Sequence, residues 1–299
     1  MTGASRRPAT VHGSGRHGKM RPMADLKGRT FLVTGANTGI GKETARVLAG
    51  RGGRVILAGR SEPKTKAAID EIAAEVEGAD LDYLPLDLGD FESVRRAAAE
   101  VREPLHVLVN NAGLAGSRGL SASGFELAFG TNHLGPFLLT NLLLDRLLEA
   151  APDGGARIVN VASVGHFQAR GIDWEAVRRP TATRTGFPEY CVSKLANVLH
   201  AQELARRLDG TGVTSYALHP GAVASDVWRK VPWPIRPAMK LFMKSVEDGA
   251  KTSVFCATDP DLATQSGRYY DNCREMEPSS VATPSLAADL WTHSESWTS

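Results

Sequence analysis

The sequence predicts a single α/β domain, doubly wound, with a central parallel sheet and helices on both faces. Three observations carry that expectation. From Arg29 onward, short β-branched-rich runs alternate with segments of helical apolar period. The runs are apolar throughout instead of alternating, as strands are when helices cover both faces of a parallel sheet. No linker, charge block or internal repeat interrupts the middle of the chain, whose 299 residues suffice for one large domain of this kind.

The strand-length runs are RTFLVTG, RVILAGR, LDYLPLD, HVLVNNAG, RIVNVAS and VTSYALHPG, with GRYYDN read as one more late strand. Between them lie GKETARVLAGRG, PKTKAAIDEIAAEVEG, DFESVRRAAAEVREP, GFELAFGTNHLGPFLLTNLLLDRLLEAAP and PEYCVSKLANVLHAQELARRLDG. Their apolar residues recur at i, i+3, i+4 and i+7, so each is read as a helix, the fourth as one long helix. Residues 1–23 are rich in Gly, Ser, Arg and Pro and lack periodicity. They are expected to form a mobile basic tail ahead of a domain spanning 24–299. Met20 and Met23 leave open a shorter natural start.

Composition excludes several classes. A formal charge of +2 is too small to imply a nucleic-acid partner. No apolar run approaches the roughly 18–20 residues of a transmembrane segment. SRRPATVHG has paired arginines but no apolar stretch after them, so it is not read as a secretory or twin-arginine signal. Cys191, Cys256 and Cys273 are widely separated and lack CxxC spacing. They read as reduced thiols of a cytoplasmic protein, and no HExxH or similar spacing suggests a metal.

FLVTGANTGIGKETA follows the first strand and opens the first helix, placing Gly35, Gly39 and Gly41 in a G-x-x-x-G-x-G turn. Glycines there allow a tight turn and close backbone approach, so that a pyrophosphate can sit on free N–H groups at the helix start. The loop is not a Walker A loop: five residues separate Gly35 from Gly41, and Glu43 replaces the hydroxyl that would hold magnesium. The second strand ends 19 residues beyond Gly41, at Gly59 and Arg60. An acidic residue in that region would suit the ribose hydroxyl of NAD, whereas arginine suits the 2′-phosphate of NADP. Lys42 also lies close to the loop in sequence.

Other polar residues gather at strand ends, where open parallel sheets bind ligands. NNAG (Asn110 to Gly113) ends the fourth strand, VASVG carries Ser163 at the end of the fifth, and HPG brings Pro220 and Gly221 after the sixth. Asn132 stands inside a helical run, an unfavourable place unless its side chain has a task. Ser163 lacks the G-x-S-x-G elbow of a serine hydrolase, since Val161 takes the first glycine's place. His219, followed by Pro220, is read as a strand-end residue and not as a general base, and His166 and His200 as packed or solvated residues. In EYCVSKLAN, Tyr190 and Lys194 share one helix face. Either both are surface residues, or Lys194 changes what Tyr190 can do.

TGANTGIG, NNAG, Asn132, Ser163, YCVSK and HPG, in this order and spacing, resemble the short-chain dehydrogenase/reductases over residues 29–273. YCVSKLANVLHAQELARRLDGTGVTSYALHPG further resembles their retinol dehydrogenase branch. The resemblance implies a Rossmann-type fold and an NADP(H)-dependent oxidoreductase acting on C=O and CH–OH groups. Tyr190 would be the catalytic acid/base, Lys194 its partner, Ser163 the carbonyl-positioning hydroxyl and Asn132 part of a water-linked proton relay. The implied cofactor set is Gly35, Asn37, Thr38, Gly39, Ile40 and Gly41 in the loop, then Arg60, Asp87 and Leu88, with Asp87 meeting the adenine. It continues with Asn111, Ala112 and Gly113, then Tyr190 and Lys194, and ends at Pro220, Gly221 and Val223. No hydrophobic N-terminal anchor like that of the membrane-bound retinol enzymes is present in this sequence, which sets retinoids themselves apart as substrates.

A lysine ammonium about 4 Å from a tyrosine, at an effective dielectric of about 20, favours tyrosinate by up to about 4 kcal/mol. That would move Tyr190 by up to about three units from its usual value near 10, toward the range where proton transfer works best. The expected substrate is a small apolar aldehyde or ketone, or the corresponding alcohol. DVWRKVPWPIRPAMKLFMKS, with Trp228, Trp233 and Phe242, is read as a substrate lid over about 222–246, the rival being a subunit contact or membrane-surface patch. The oligomeric state is left open. A catalytically idle NADP(H)-binding redox sensor or scaffold is the alternative, and the intact Asn132, Ser163, Tyr190 and Lys194 set argues against it.

Overall fold

The apolar runs become the strands of one sheet in a computed structural model that describes residues 25–221 and 245–299. They are β1 (Thr30–Thr34), β2 (Arg54–Gly59), β3 (Leu81–Pro85), β4 (Val107–Asn110), β5 (Ala156–Val161), β6 (Val213–His219), β7 (Arg268–Asp271) and β8 (Arg274–Met276). Their spatial order is β3-β2-β1-β4-β5-β6-β7-β8, parallel except for the antiparallel β7–β8 pair. Chain direction across the sheet reverses between β1 and β4, the switch point at which such sheets bind ligands. Alternate residues of β1 serve opposite cores: Leu32 packs with Leu108, Ile158 and Phe137, whereas Phe31 and Val33 pack with Leu48, Val109 and Val159. Burial on both faces thus holds for the central strands. It fails at β3, where only Leu84 is buried because the strand lies at the sheet edge.

The helices are α1 (Gly39–Ala49), α2 (Glu62–Glu75), α3 (Phe91–Glu100), α4 (Leu127–Phe129), α5 (Gly135–Leu142), α6 (Leu144–Ala150), α7 (Phe187–Arg207), α8 (Val246–Thr258) and α9 (Pro284–Thr298). The run expected as one long helix is therefore broken, with a π turn at Gly130–Leu134 between α4 and α5. Pro136 supplies no backbone N–H there, and the chain passes so close to the segment after β3 that a Cβ on Gly135 would lie 2.1 Å from Leu88 O. Strand β8 and helices α8 and α9 lie beyond the elements read from the sequence. The β7–β8 turn places Asn272 and Cys273 at φ +52° and +57°, the left-handed pair of a two-residue hairpin, and cysteine is no usual signal for it. The expected tail over 1–23 lies outside the described residues, as do 222–244, which hold nearly all of the expected lid and Val223.

Helix α9 packs on α7 through Ala287, Leu290 and Trp291, and the Arg207 guanidinium stands 4.1 Å from the Trp291 ring centroid. His133 and His200 are enclosed at this contact, their rings 5.7 Å apart, and His133 Nε2 lies 2.9 Å from Ser294 Oγ. Burial pushes His200 down to about 3 and holds His133 well below the ordinary histidine range. The unfolded chain then binds more protons than the folded one below about pH 6.5, so stability falls as pH falls through that window. For His200 the loss from pH 6.5 to 4.5 should be about 2–3 kcal/mol, and His133 adds to it in the same direction. His200→Phe, beside Phe137 and Trp291, should remove the His200 share of this pH dependence. Chemical denaturation of both proteins across this range checks it; identical slopes would show that His200 takes up its proton in the folded state.

Candidate active site

The carboxyl ends of β1, β2, β4, β5 and β6 open onto one cleft of about 900 Å³. At the end of β1 the glycine turn is held from below. Gly35 and Gly39 have φ of +66° and +57°, backbone that strains any side chain. A Cβ on Gly35 would stand 2.9 Å from Ala112 Cα, and one on Gly41 would stand 2.4 Å from Asn111 Nδ2. Asn111 Nδ2 donates to Thr34 O (2.8 Å), and the backbone N–H groups of Asn111 and Ala112 donate to Thr34 Oγ1 (3.0 Å each). The NNAG segment is thus a strap under the loop as well as a wall of the cleft. Thr38, the N-cap of α1, makes no side-chain capping bond, so the first N–H groups of the helix remain available beside it. This cradle, which a side chain would fill, fits a dinucleotide's pyrophosphate.

Arg60 lines the outer end of the cleft, with Asn37, Ser61 and Lys64 around it. Among the described residues neither Arg60 nor Lys64 makes an ion pair, and Asp87 is the cleft's single carboxylate. Asp87 Oδ1 accepts from Gly89 N at 2.9 Å. Lys42, near the loop in sequence, is instead engaged by Glu71 on α2. Lys64 is the residue that sequence reasoning missed; the signal was its place one turn after Arg60, in the first turn of α2.

At the inner end Ser163, Tyr190 and Lys194 converge. Ser163 leaves β5, and its Oγ accepts from Gly165 N (3.1 Å). Gly165 lies flat on the tyrosine: a Cβ there would be 3.3 Å from Tyr190 Cε1 and 3.5 Å from Ser163 Oγ. On α7, Lys194 Nζ donates to Val161 O (2.8 Å), a carbonyl that also accepts from Asn197 Nδ2 (3.2 Å). Asn132 does not line the cleft. It is fully buried behind it in the π turn, where its Oδ1 accepts from Leu114 N (2.9 Å) and its Nδ2 donates to Leu114 O (3.0 Å) and Ser193 Oγ (3.0 Å). Ser193 Oγ donates in turn to Tyr190 O (2.7 Å). Asn132 thus does have a task inside its helical run, tying the segment after NNAG to the second turn of α7.

The electrostatics differ from the expectation built on spacing. Burial pushes Tyr190 up, against the opposing interaction with Ser163, and burial lowers Lys194 to about 8. Lys194 Nζ lies 5.7 Å from the Tyr190 ring centroid and is directed to a carbonyl. Sharing a helix face gives the two side chains no hydrogen bond to each other, and burial is the larger influence on the phenol, so the pair alone does not make Tyr190 a base at neutral pH. It leaves a tyrosine that holds its proton firmly, beside a lysine still largely charged at pH 7.

Of the other residues expected to meet the cofactor, Val223 lies outside the described residues. Ile40, Leu88, Gly113, Pro220 and Gly221 all line the cleft. A model of the short-chain dehydrogenase family matches residues 29–233, from the first strand past the sixth. The chain belongs to that family. Within it the chain is of the retinol dehydrogenase branch: it is 43% identical to retinol dehydrogenase 12 of Homo sapiens over 285 residues, covering 92% of this chain and 87% of that protein. Among solved structures, an uncharacterised protein of Mycobacterium paratuberculosis superposes with a TM-score of 0.75 at 33% identity, over 92% of this chain and 95% of that one. A short-chain dehydrogenase of Shigella flexneri solved with NADP gives a TM-score of 0.67 at 25% identity, over 85% and 100%. This short-chain dehydrogenase is accordingly an oxidoreductase, and among its described residues no helix is long and apolar enough to cross a membrane.

Proposed function

We propose that this short-chain dehydrogenase is an NADP(H)-dependent carbonyl reductase, running in reverse as an alcohol dehydrogenase, for apolar aldehydes or ketones. One observation carries the proposal: the cleft joins two uncompensated cations, Arg60 and Lys64, at one end to Ser163, Tyr190 and Lys194 at the other. The cations suit a 2′-phosphate, and the absence of a carboxylate beside them among the described residues disfavours an NAD ribose. Around Ser163 the walls are Leu114, Ala115, Leu127, Val164 and Phe187, which suit an apolar substrate body. When bound, the reduced nicotinamide supplies the hydride. Tyr190 gives its phenolic proton to the carbonyl oxygen, and the Ser163 hydroxyl donates a hydrogen bond to the same oxygen. Lys194 provides positive charge beside the phenol as that proton leaves. A reducing, cytoplasm-like compartment goes with this reading, since Cys191 and Cys256 are buried thiols.

The test is NADPH and NADH oxidation by the purified full chain with straight-chain aldehydes of increasing length, for the parent and Arg60→Ala. The parent should turn over with NADPH, better with longer aldehydes. A charged phosphate contact is worth about 1.5–3 kcal/mol, so Arg60→Ala should weaken NADPH binding roughly tenfold or more and leave NADH nearly unchanged. Equal losses for both cofactors would remove Arg60 from the phosphate site. Binding of NADPH without turnover of any carbonyl would favour the alternative, an idle NADP(H)-binding protein.

A further inference from the structure

We infer that His166 is a positioning residue for Ser163, holding the serine's backbone through a fixed ring tautomer anchored in the C-terminal segment. The inference rests on the reading of Ser163 as the hydroxyl that meets the substrate oxygen. His166 lies in the short 3₁₀ turn Val164–Gln168 that follows Ser163 and is fully enclosed. Its Nδ1 stands 2.6 Å from Ser163 O, and its Nε2 stands 3.1 Å from Ser279 N. A carbonyl only accepts and an amide N–H only donates. Nδ1 therefore carries the hydrogen and Nε2 is bare, so a single neutral tautomer satisfies both neighbours.

The surroundings hold the ring in this role. Phe167 and Tyr269 stand at centroid distances of 4.0 and 4.7 Å from it, so the imidazole has little room to turn. Ser279, itself buried, lies between β8 and α9. The histidine thus links the exit of β5 to a stretch of chain more than a hundred residues away, at the point where Ser163 must be aimed. Three bonds fix Ser163 from its own turn: its carbonyl accepts from His166 Nδ1 (2.6 Å) and from the backbone His166 N (3.1 Å), and Gly165 N holds its Oγ. Loss of the ring bond leaves the carbonyl on the longer backbone bond alone and loosens the peptide plane that carries the hydroxyl toward Tyr190, and small misplacements of reacting groups are costly.

The two bonds of the ring can be separated. Asparagine overlays the Nδ1 half of an imidazole and can donate to Ser163 O without reaching Ser279. Glutamine reaches the Nε2 position and can accept from Ser279 N without serving Ser163. Parent, His166→Asn and His166→Gln are compared for kcat and KM with NADPH and an alkyl aldehyde, and for melting temperature. Rates are taken per folded molecule, counted by NADPH fluorescence. His166→Asn should keep kcat within about threefold, and His166→Gln should lower it roughly tenfold or more with the KM for NADPH unchanged. Equal kcat losses in both variants that track melting temperature, no loss in either, or the greater loss in His166→Asn would each overturn the inference. A Ser163→Ala arm separates the two readings: if that variant retains the parent kcat, it is the role of Ser163 that fails.

Discussion

Tyr190→Phe should lower kcat by roughly 10²- to 10⁴-fold, the usual weight of a positioned acid or base, while NADPH affinity and melting temperature stay close to the parent's. The substitution deletes the transferable proton and little else. The ring packs beside Phe187, with centroids 6.1 Å apart and planes 26° from parallel, and a phenyl keeps that contact and the close fit over Gly165. Because burial pushes the Tyr190 phenol up, the proton is held firmly in the protein, as an acid for carbonyl reduction requires. The same direction bears on the reverse reaction. Alcohol oxidation needs tyrosinate to accept the proton, so its rate should rise with pH well into the alkaline range. Steady-state rates in both directions, with NADPH titrated by fluorescence, check this. A phenylalanine variant that reduces aldehydes at the parent rate would sink the proton path.

The sheet and the loop chemistry were legible because they rest on local rules. Runs such as RIVNVAS are short, β-branched and apolar, as buried parallel strands are, and the glycines of TGANTGIG follow such a run directly. What lay hidden needed contacts distant in sequence. Only glycine fits at position 135 of its helical run because Leu88 O passes close by, and no periodicity reveals that. The role of Asn132 was foreshadowed by its awkward position, but its partners Leu114 and Ser193 were not. His166 looked like an ordinary packed histidine, since Ser279 is 113 positions away. The largest difference between spacing and structure is electrostatic. Helical spacing gives which residues are neighbours, but not how deeply they are buried or where a long side chain ends. Desolvation and the Val161 carbonyl decided the state of the Tyr190–Lys194 pair.

That same desolvation makes Lys194→Met the second large effect, with activity and stability expected to move in opposite directions. A depression of the lysine from 10.5 to about 8 corresponds to roughly 3 kcal/mol by which burial of the ammonium opposes folding at neutral pH. The sign follows from proton counting. Between pH 8 and 10.5 the unfolded chain binds the proton and the folded chain does not, so the parent's stability rises with pH across that window and is level below it. Methionine fills a similar volume without charge, and Val161 O keeps a donor in Asn197 Nδ2, so no buried carbonyl is stranded. Lys194→Met should therefore melt no lower than the parent at pH 7, and it should lack the lysine's share of the alkaline rise. Its kcat should nevertheless fall at least about a hundredfold, because no cation remains beside Tyr190 as its proton leaves. Binding of NADPH should weaken with it, since Lys194 lines the same cleft. Melting curves at pH 7 and 10, set beside turnover and NADPH titration, decide the matter. If the variant lost stability together with activity, Lys194 would be a structural residue, and a variant that lost neither would deny the ammonium any part in the reaction.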